Sequence, residues 1–363
     1  MKIVFDARVI QEQNHGIARF CRNLLDRLLT LDRENEYRVL VRFPWVQACF
    51  APRASVSWVE SPIPPYTLQE QWAIPRLLRG ASFDLFYSPT YALPRPLTAK
   101  GIVTLHDLIH LIFPEDYGWK HRLYYRLLVK PAVRRCRRVF TVSQSSRQDI
   151  IRYCRCPEGK IVLTPNGLEP SWFTRPPHPG FIKRYGLEQG FILFVGNPRP
   201  HKNFSRVREA FTQLVREGHF SGKLVAVGIP AGGHPSEEGR RVVRIPYCSD
   251  AELATLYSRA RLLAAPSLYE GFGLPVLEAM ACGCPVLIGD RASLPEIAGP
   301  AGWAVDPYQT AAIREGMLRL LEDSPLRERL RAAGRIQARR YSWDETARTV
   351  LRVFGELAGG AAQ

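Results

Sequence analysis

Short apolar runs recur along the chain and alternate with segments that have helical periodicity. The first run, KIVFD at residues 2–6, predicts a strand, and the spacing of apolar residues from Ile17 to about Leu31 predicts a helix. Later runs of the same kind are EYRVLV, FDLFYSP, GIVTLHD, RRVFTVS, FILFVG, KLVAVG, VVRIPY, RLLAAPS, CPVLIGD and GWAVDP. Alternating strands and helices are typical of a parallel sheet with helices on both faces, so the sequence predicts an α/β fold.

A stretch rich in proline and glycine interrupts this pattern. PNGLEPSWFTRPPHPG, residues 165–180, shows neither period, and we interpret it as a linker. A chain of 363 residues is long for one domain and suits two of ordinary size. We therefore predict one domain over residues 1–170 and a second over residues 180–341. A helix is predicted at residues 342–357, and the final AGGAAQ is expected to be disordered.

Composition restricts the classes of partner. The chain has 50 basic and 34 acidic residues, a net charge of +16, which favours nucleic acid, an acidic membrane surface or phosphorylated small molecules. Its eight cysteines include no C-x-x-C pair, so reduced thiols are expected rather than a zinc site. No apolar run approaches the length of about 18 residues that a membrane helix needs, and no signal-peptide pattern is visible. We therefore expect a cytoplasmic protein, with peripheral contact to the inner face of the plasma membrane as an option.

A basic loop follows the first predicted strand of the second domain. In VGNPRPHKNF, residues 195–204, Arg199, His201 and Lys202 precede a helix. A helix N-terminus next to basic side chains suits a phosphate group, and Arg199 and Lys202 are the candidate contacts. The alternative is a solvated basic turn, and the loop alone does not decide between them. It matches neither the P-loop nor the dinucleotide-binding glycine pattern.

Two glutamates, Glu270 and Glu278, lie in the otherwise apolar stretch YEGFGLPVLEAM at residues 269–280. A charge in an apolar run is costly unless something satisfies it, and we expect a ligand rather than protein to do so. Glu278 falls on the same helical face as Leu274, Leu277 and Ala281, which predicts a half-buried carboxylate able to accept hydrogen bonds from a ribose diol. The alternative is charge complementarity with the helix N-terminus, but this explains neither Glu270 nor the glycines.

A glycine turn precedes the predicted helix in the same stretch. Gly271 and Gly273 allow the backbone to approach a ligand closely, and Pro275 suits the first helical turn. The N–H groups of Phe272, Gly273 and Leu274 would then point out of the helix N-terminus. They are predicted to bind an anion or sugar hydroxyls.

Histidines follow a strand of the first domain, in VTLHDLIHLIFPED. His106 and His110 are four residues apart, which suits a metal only on a helix, and a loop is the more natural structure here. We therefore predict no metal, and assign His106 to acid–base catalysis or polar contact with substrate. Gly16, before the helix in NHGIARF, is a further candidate phosphate contact. The chain contains no D-x-D pair, so cationic side chains and helix N-termini are expected to neutralise a diphosphate without a divalent metal or other cofactor.

Together these motifs resemble the family 4 glycosyltransferases, retaining enzymes of the GT-B fold. YEGFGLPVLEAM resembles the E-x7-E motif of that family, and VGNPRPHKN resembles its phosphate loop. Further likenesses, over most of the chain, are DARVIQEQNHGIARF, VTLHDLIH, VSQSSRQDI, LTPNGLEP, ASLPEIAGPAGWAVDP and YSWDETA. The resemblance implies two Rossmann-like domains facing a deep cleft, with the acceptor on the first and a donor nucleotide sugar mainly on the second. It also implies that the last helix packs back on the first domain.

The resemblance also implies roles for single residues. Glu278 would hold the ribose and Lys202 the diphosphate, while Glu270 and the amides of the glycine turn would bind the sugar. His106 would contact the transferred sugar near the reacting carbon. The expected reaction is front-face attack by the acceptor hydroxyl with the leaving phosphate as base, although Glu270 as nucleophile, as in a retaining hydrolase, is an alternative.

This chain departs from the family pattern at one position of the phosphate loop. Many members have arginine immediately before the loop lysine, where this chain has His201. Arg199, two residues earlier, is predicted to replace that charge.

The acceptor side is indicated by a basic and aromatic segment, YGWKHRLYYRLLVKPAVRRCRR at residues 117–138. Such a mixture suits an anionic membrane surface, although a solvated helix face would look the same. We therefore expect a glycan or lipid-linked sugar acceptor. The resemblance to bacterial mannosyl-type and related polysaccharide-assembly members of the family implies mannose from GDP-mannose as the favoured donor. Another hexosyltransferase, such as a glucosyltransferase acting on a small-molecule acceptor, is the alternative.

Other functions fit the sequence less well. Nucleic acid is not expected as a partner, because no docking motif is present and the two glutamates would repel a phosphate backbone. A sugar-nucleotide epimerase would need a different acid–base set, and a phosphorylase would need a pyridoxal lysine; nothing in the chain marks either.

Overall fold

The computed structural model describes residues 1–12, 16–230 and 241–359, and the chain folds into two compact units. Unit 1 consists of Met1–Gly167 and Trp343–Gln363, and unit 2 of Leu168–Ser342. The chain therefore leaves unit 1 after residue 167 and returns to it after residue 342.

Unit 1 contains a seven-stranded sheet in which every pairing is parallel. The strand order is β3-β2-β1-β4-β5-β6-β7, so the direction of winding reverses between β1 and β4. The strands are β1 (Lys2–Asp6), β2 (Glu36–Val41), β3 (Val56–Glu60), β4 (Leu85–Ser88), β5 (Gly101–Leu105), β6 (Arg138–Thr141) and β7 (Ile161–Leu163). In an open α/β sheet, ligands bind beyond the carboxyl ends of the strands at such a reversal.

Helices cover the sheet of unit 1, and the last helix of the chain is one of them. They are α1 (Gly16–Leu31), α2 (Glu70–Leu77), α3 (Ile109–Ile112), α4 (Trp119–Tyr124), α5 (Lys130–Arg135), α6 (Gln144–Cys154) and α15 (Trp343–Gly359). Trp343 packs edge-on against Phe20 of α1 with ring centroids 5.6 Å apart, and Phe354 packs against Tyr87 of β4 at 5.9 Å. Helix α15 therefore closes the core of unit 1.

Unit 2 repeats the architecture with six parallel strands. Their order is β10-β9-β8-β11-β12-β13, with the reversal between β8 and β11. The strands are β8 (Phe191–Val195), β9 (Lys223–Val227), β10 (Val242–Ile245), β11 (Leu262–Ala265), β12 (Val286–Gly289) and β13 (Gly302–Val305). The described helices are α7 (Ser171–Thr174), α8 (Phe181–Arg184), α9 (Phe204–Arg216), α10 (Asp250–Arg259), α11 (Leu274–Ala281), α12 (Leu294–Ala298), α13 (Thr310–Glu322) and α14 (Ser324–Ala338). The predicted α/β class with two Rossmann-like domains is confirmed.

The linker interpretation of residues 165–180 is wrong for its centre. Helix α7 lies within this stretch, and Trp172 is only 1% exposed. The Trp172 indole donates a hydrogen bond to Glu169 Oε2 at 2.9 Å, and its ring lies 6.1 Å from that of Tyr257. Tertiary packing of one aromatic side chain therefore orders a segment whose proline and glycine content suggested a linker. The predicted disorder at the chain end concerns residues 360–363, which lie outside the described residues, whereas Ala358 and Gly359 are helical.

Two of the negative predictions can be compared with the structure. Within residues 1–12, 16–230 and 241–359, no group of three or more His, Cys, Asp or Glu side chains could hold a metal ion. Over the same residues, no helix has both the length and the apolar character needed to cross a membrane. The eight cysteines are all free thiols, as the sequence predicted.

Candidate active site

The basic loop and the glutamate motif of unit 2 follow β8 and β11, the two strands at the reversal of strand order. Leu268, after β11, donates its backbone N–H to the carbonyl of His201, after β8, at 2.7 Å. The two loops are therefore tied together by backbone at the edge where an α/β sheet binds its ligand.

Lys202 and Glu270 meet at this point in a bidentate ion pair. The Lys202 ammonium donates to Glu270 Oε1 at 2.6 Å and to Oε2 at 2.7 Å, and the two side chains are 17% and 16% exposed. Ser267 Oγ also donates to Glu270 Oε1 at 2.9 Å. In the structure a lysine and a serine satisfy this glutamate, and its expected contact with a ligand stays a prediction.

Asn203, the residue after Lys202, holds the backbone of the basic loop in place through hydrogen bonds of its side chain. Asn203 is 1% exposed and has a φ of 64°, a left-handed conformation that asparagine tolerates better than most residues. Its side-chain amide donates to the carbonyls of Pro266 at 2.9 Å and Pro307 at 2.6 Å. This residue was missed by sequence reasoning, although an asparagine directly after the loop lysine and before a helix was the available signal.

The glycine turn between Glu270 and α11 is held by a serine and by its own backbone geometry. Gly273 has a φ of 107°, which strains any residue with a side chain, and a Cβ there would lie 2.6 Å from Leu294 Cδ2, so the end of Leu294 would have to move. Ser293 Oγ lies 2.9 Å from the carbonyls of both Glu270 and Phe272. The turn thus presents the N-terminus of an eight-residue helix next to the ion pair. The predicted sugar-binding amides of Phe272, Gly273 and Leu274 belong to this turn.

Glu278 lies one turn into α11 and is more deeply buried than predicted. It is 2% exposed, so the expectation of a half-buried side chain is wrong. Its Oε2 accepts a hydrogen bond from the Tyr257 hydroxyl of α10 at 3.2 Å, and Tyr257 is itself fully buried. Because α10 and α14 both pack on α11, this carboxylate is covered by helices that its own sequence neighbourhood does not reveal. Burial raises the pKa of the Tyr257 hydroxyl well above its usual range, so it remains a donor.

His201 cannot replace the charge of the arginine that it substitutes. Its side chain is buried, and burial, assisted by the neighbouring Lys202 charge, lowers its pKa to about 4. It is therefore neutral near pH 7. Arg199 lies at an exposed position and its backbone N–H is bonded to Asn197 Oδ1 at 3.2 Å, which leaves its predicted phosphate role as a prediction.

The remaining predicted residues lie in unit 1. His106 follows β5, and its Nε2 lies 3.0 Å from the carbonyl of Pro89, so this nitrogen carries the proton. Its ring packs edge-on against Phe20 at 4.6 Å, and burial lowers its pKa to about 4. A neutral imidazole in this setting suits polar contact rather than donation of a proton from an imidazolium. Gly16 is the first residue of α1, and a Cβ there would meet nothing within 4 Å, so no steric reason requires glycine.

A buried charged cluster at the reversal between β1 and β4 was missed by sequence reasoning. Arg8 donates to both carboxylate oxygens of Asp6, at 2.8 and 2.6 Å, and to Glu70 Oε2 at 3.2 Å. Tyr124 donates its hydroxyl to Glu70 Oε1 at 3.1 Å. Burial, only partly opposed by Arg8, raises the pKa of Glu70 to about 7. Asp6 and Arg8 are near neighbours in sequence, but Glu70 is brought to them only by the fold.

The basic and aromatic segment at residues 117–138 exposes both apolar and basic side chains to solvent. Helices α4 and α5 are joined by a π-helical turn at Tyr125–Val129, so they form a continuous rod. Three apolar side chains, spaced four apart, are exposed to 63%, 44% and 50%: Trp119, Leu123 and Leu127. The exposed basic residues of the same rod are Lys120, Arg122, Arg126, Arg134 and Arg135.

Comparison with known proteins agrees with this architecture. The model of glycosyltransferase family 4 matches residues 15–172, and the model of glycosyl transferases group 1 matches residues 181–337. The O-antigen chain mannosyltransferase B of Escherichia coli is 30% identical, over 98% of this chain and 99% of that protein.

Solved structures with the same fold include two with clear overall similarity. Sucrose-phosphate synthase from Thermosynechococcus elongatus has a TM-score of 0.75 at 20% identity, over 99% of both chains. Anabaena HepE in complex with UDP and glucose has a TM-score of 0.73 at 17% identity, over 98% of this chain and 100% of the other. At these identities the likeness concerns the fold, which is GT-B. Taken with the two family models and the mannosyltransferase relative, it shows that the chain belongs to glycosyltransferase family 4 and is a glycosyltransferase of bacterial polysaccharide-assembly type.

Proposed function

We propose that the protein transfers mannose from GDP-mannose to a hydroxyl of a glycan or lipid-linked sugar, with retention of configuration and without a divalent metal. The observation that carries this proposal is the Lys202 ammonium beside the glycine turn that opens α11. A lysine and a helix N-terminus at one sheet edge suit a diphosphate group. The relative named as an O-antigen mannosyltransferase supports mannose and a glycan acceptor, and HepE with UDP and glucose supports a nucleotide sugar.

In this proposal, the protein stabilises the charge that develops on the leaving diphosphate. Lys202 and the N–H groups of the glycine turn supply fixed positive ends, and losing one such group typically costs about 10²–10³-fold in rate. Glu278 binds the ribose, and the neutral His106 makes a polar contact with the sugar. The acceptor hydroxyl attacks the anomeric carbon on the side from which the diphosphate leaves, and the leaving phosphate takes the proton.

The retained configuration raises the question of whether Glu270 is the nucleophile. In the structure both of its oxygens accept hydrogen bonds from Lys202, and one also accepts from Ser267, an arrangement that suits a carboxylate that binds hydroxyls. We expect Glu270→Gln to retain measurable transfer, and we expect the unaltered protein to form no covalent adduct detectable by intact-protein mass spectrometry. A trapped glycosyl-enzyme in the unaltered protein would overturn the front-face mechanism.

The donor is identified by thermal shift with GDP, UDP, ADP and their sugars, each in the presence of EDTA. A ligand that binds only the folded protein raises the melting temperature by mass action. We expect the largest shift with GDP-mannose and a much smaller one in Glu278→Ala, which removes the ribose contact. A larger shift with UDP-glucose would identify the alternative hexosyltransferase. A shift that disappears with EDTA and returns with Mg²⁺ would overturn metal independence.

We further propose that the α4–α5 rod binds an anionic membrane surface on which a lipid-linked acceptor is carried. Its exposed Trp119, Leu123 and Leu127 supply the apolar contact, and the surrounding lysine and arginine residues supply the charge. Four arginines of the segment are Arg134, Arg135, Arg137 and Arg138, but Arg134 also donates to the Cys154 carbonyl, so reversing its charge would disturb the fold.

The sharper membrane test reverses Lys120, Arg122 and Arg126, which are all exposed. Co-sedimentation with vesicles of phosphatidylglycerol and phosphatidylcholine should fall strongly. The matched control reverses three exposed arginines outside this segment, Arg329, Arg348 and Arg352. Equal sedimentation of all three proteins would contradict membrane binding through this rod.

A further inference from the structure

The ion pair between Lys202 and Glu270 joins two side chains that the proposed function assigns to different parts of the donor. Lys202 is assigned to the diphosphate and Glu270 to the sugar. An ammonium has three N–H donors, and two of those on Lys202 are directed at the two oxygens of Glu270, at 2.6 and 2.7 Å. Two of the Lys202 N–H groups and both Glu270 oxygens are therefore engaged with each other. A ligand would need these same groups.

The backbone around this pair is fixed, so an exchange of partners is confined to side chains. Asn203, next to Lys202, is bonded to the carbonyls of Pro266 and Pro307, and Leu268 is bonded to His201. The Lys202 stem passes Gly196 at the end of β8, where a Cβ would lie 3.5 Å from Lys202 Cγ and Cδ. The aliphatic stem of Lys202 therefore lies against a glycine, and its own loop is held by the hydrogen bonds of Asn203 and Leu268.

The two partners differ in how firmly they are held. Glu270 Oε1 also accepts from Ser267, a buried residue, and the Glu270 carbonyl is bonded to Ser293. Glu270 thus remains oriented when the lysine leaves, with one of its oxygens released for another donor. The exposure of 17% for Lys202 and 16% for Glu270 allows a ligand to reach the pair.

We propose that Glu270 competes with the donor's diphosphate for Lys202, so that diphosphate binding releases Glu270 to accept a hydroxyl of the sugar. Resting on the proposed function, this inference makes Glu270 a determinant of specificity for the intact donor. A free sugar meets a carboxylate already engaged by lysine, and a nucleoside diphosphate must break the ion pair without regaining the sugar contact. The intact nucleotide sugar satisfies both side chains at once.

The test is a double-mutant cycle on the affinity of GDP, measured by titration calorimetry. Glu270→Gln keeps the size of the side chain and removes its charge, so GDP should bind about three- to tenfold more tightly, as expected for the loss of a partly exposed ion pair. In a Lys202→Met background, the same Glu270→Gln change should alter GDP affinity by less than about twofold. Ser267→Ala, which leaves the ion pair intact, should give no gain.

The intact donor gives a second readout. In the unaltered protein GDP-mannose should bind more tightly than GDP, and Glu270→Gln should reduce this ratio because the sugar loses its carboxylate contact. Unchanged or weaker GDP binding in Glu270→Gln would overturn the inference. A gain that persists without Lys202 would also overturn it, because general charge repulsion would then be the cause. Should GDP, UDP and ADP all fail to bind the unaltered protein, the proposed function itself falls, and this inference with it.

Discussion

Each unit has an ion pair at the point where the strand order of its sheet reverses, but the two pairs differ in their exposure to solvent. In unit 1, Arg8, Asp6 and Glu70 meet beyond the first strand of the sheet, with side-chain exposures of 0%, 5% and 0%. In unit 2, Lys202 and Glu270 meet beyond the first strand of the sheet and remain 17% and 16% exposed. Topology therefore brings charges to the reversal of strand order in both sheets, but only the accessible pair can exchange its partner for a ligand.

The largest expected effect follows from removing the cation of each pair. Arg8→Met leaves two carboxylates buried without their guanidinium, which should lower the free energy of unfolding by about 3–5 kcal/mol. Lys202→Met should cost less than about 1 kcal/mol because its pair is reached by solvent. Denaturant unfolding followed by far-UV circular dichroism measures both. Equal losses in the free energy of unfolding would mean that the buried pair of unit 1 and the solvent-accessible pair of unit 2 do not differ in their effect on stability.

A smaller loss of stability is expected from a change in the glycine turn beside the Lys202–Glu270 pair. Gly273→Ala forces a side chain into a φ of 107° and into contact with Leu294, and should cost about 1–3 kcal/mol. Gly355→Ala is the matched control, because its added Cβ would meet nothing within 4 Å and it lies on the last helix, outside the candidate site. If both changes left the melting temperature and donor binding unaltered, the glycine turn would not be what positions the site.

The buried cluster of Arg8, Asp6 and Glu70 should also make the stability of unit 1 depend on pH. Glu70 has a pKa raised to about 7, so between its unfolded value of about 4.5 and pH 7 the folded state retains a proton that the unfolded state has released. Its stabilising contribution is therefore complete below about pH 4.5 and is lost as the pH rises through 7. Glu70→Gln should flatten this part of the stability profile. A stability that rose from pH 5 to 7 only when Glu70 was present would contradict this sign.

The smallest expected effect concerns the histidines at the two sheet edges. Burial lowers the pKa values of His106 and His201 to about 4, so both stay neutral throughout pH 5–8. The pH profile of kcat should consequently lack an inflection from either residue in this range. His106→Asn, which preserves polar contact without a titrating ring, should leave the shape of the profile unchanged, and a shifted inflection would contradict a neutral His106.

The sequence was sufficient for elements and motifs whose signal is local. The predicted runs at residues 2–6 and 36–41 coincide with β1 and β2, because buried parallel strands are continuous apolar segments. The motifs around Lys202 and Glu270 also identified loops that the fold ties together. Their meeting could be anticipated because carboxyl ends of neighbouring parallel strands share one edge.

Features that depend on distant packing could not be predicted. The full burial of Glu278 depends on helices α10 and α14, and the order of residues 171–174 depends on the packing of Trp172. Glu70 is 62 residues from Arg8, and nothing in its neighbourhood marks it as a buried carboxylate. Each of these environments is created by partners remote in sequence, which periodicity and composition do not report.

The return of the chain to unit 1 at residue 343 has a consequence for biosynthesis. Phe20 and Tyr87 are covered by Trp343 and Phe354, which leave the ribosome only after every residue of unit 2. Unit 1 is translated first. Part of its core therefore stays uncovered while the 175 residues Leu168–Ser342 are synthesised. Unit 2 is contiguous and can fold as soon as it emerges, so the order of completion of the two units is the reverse of their order of synthesis.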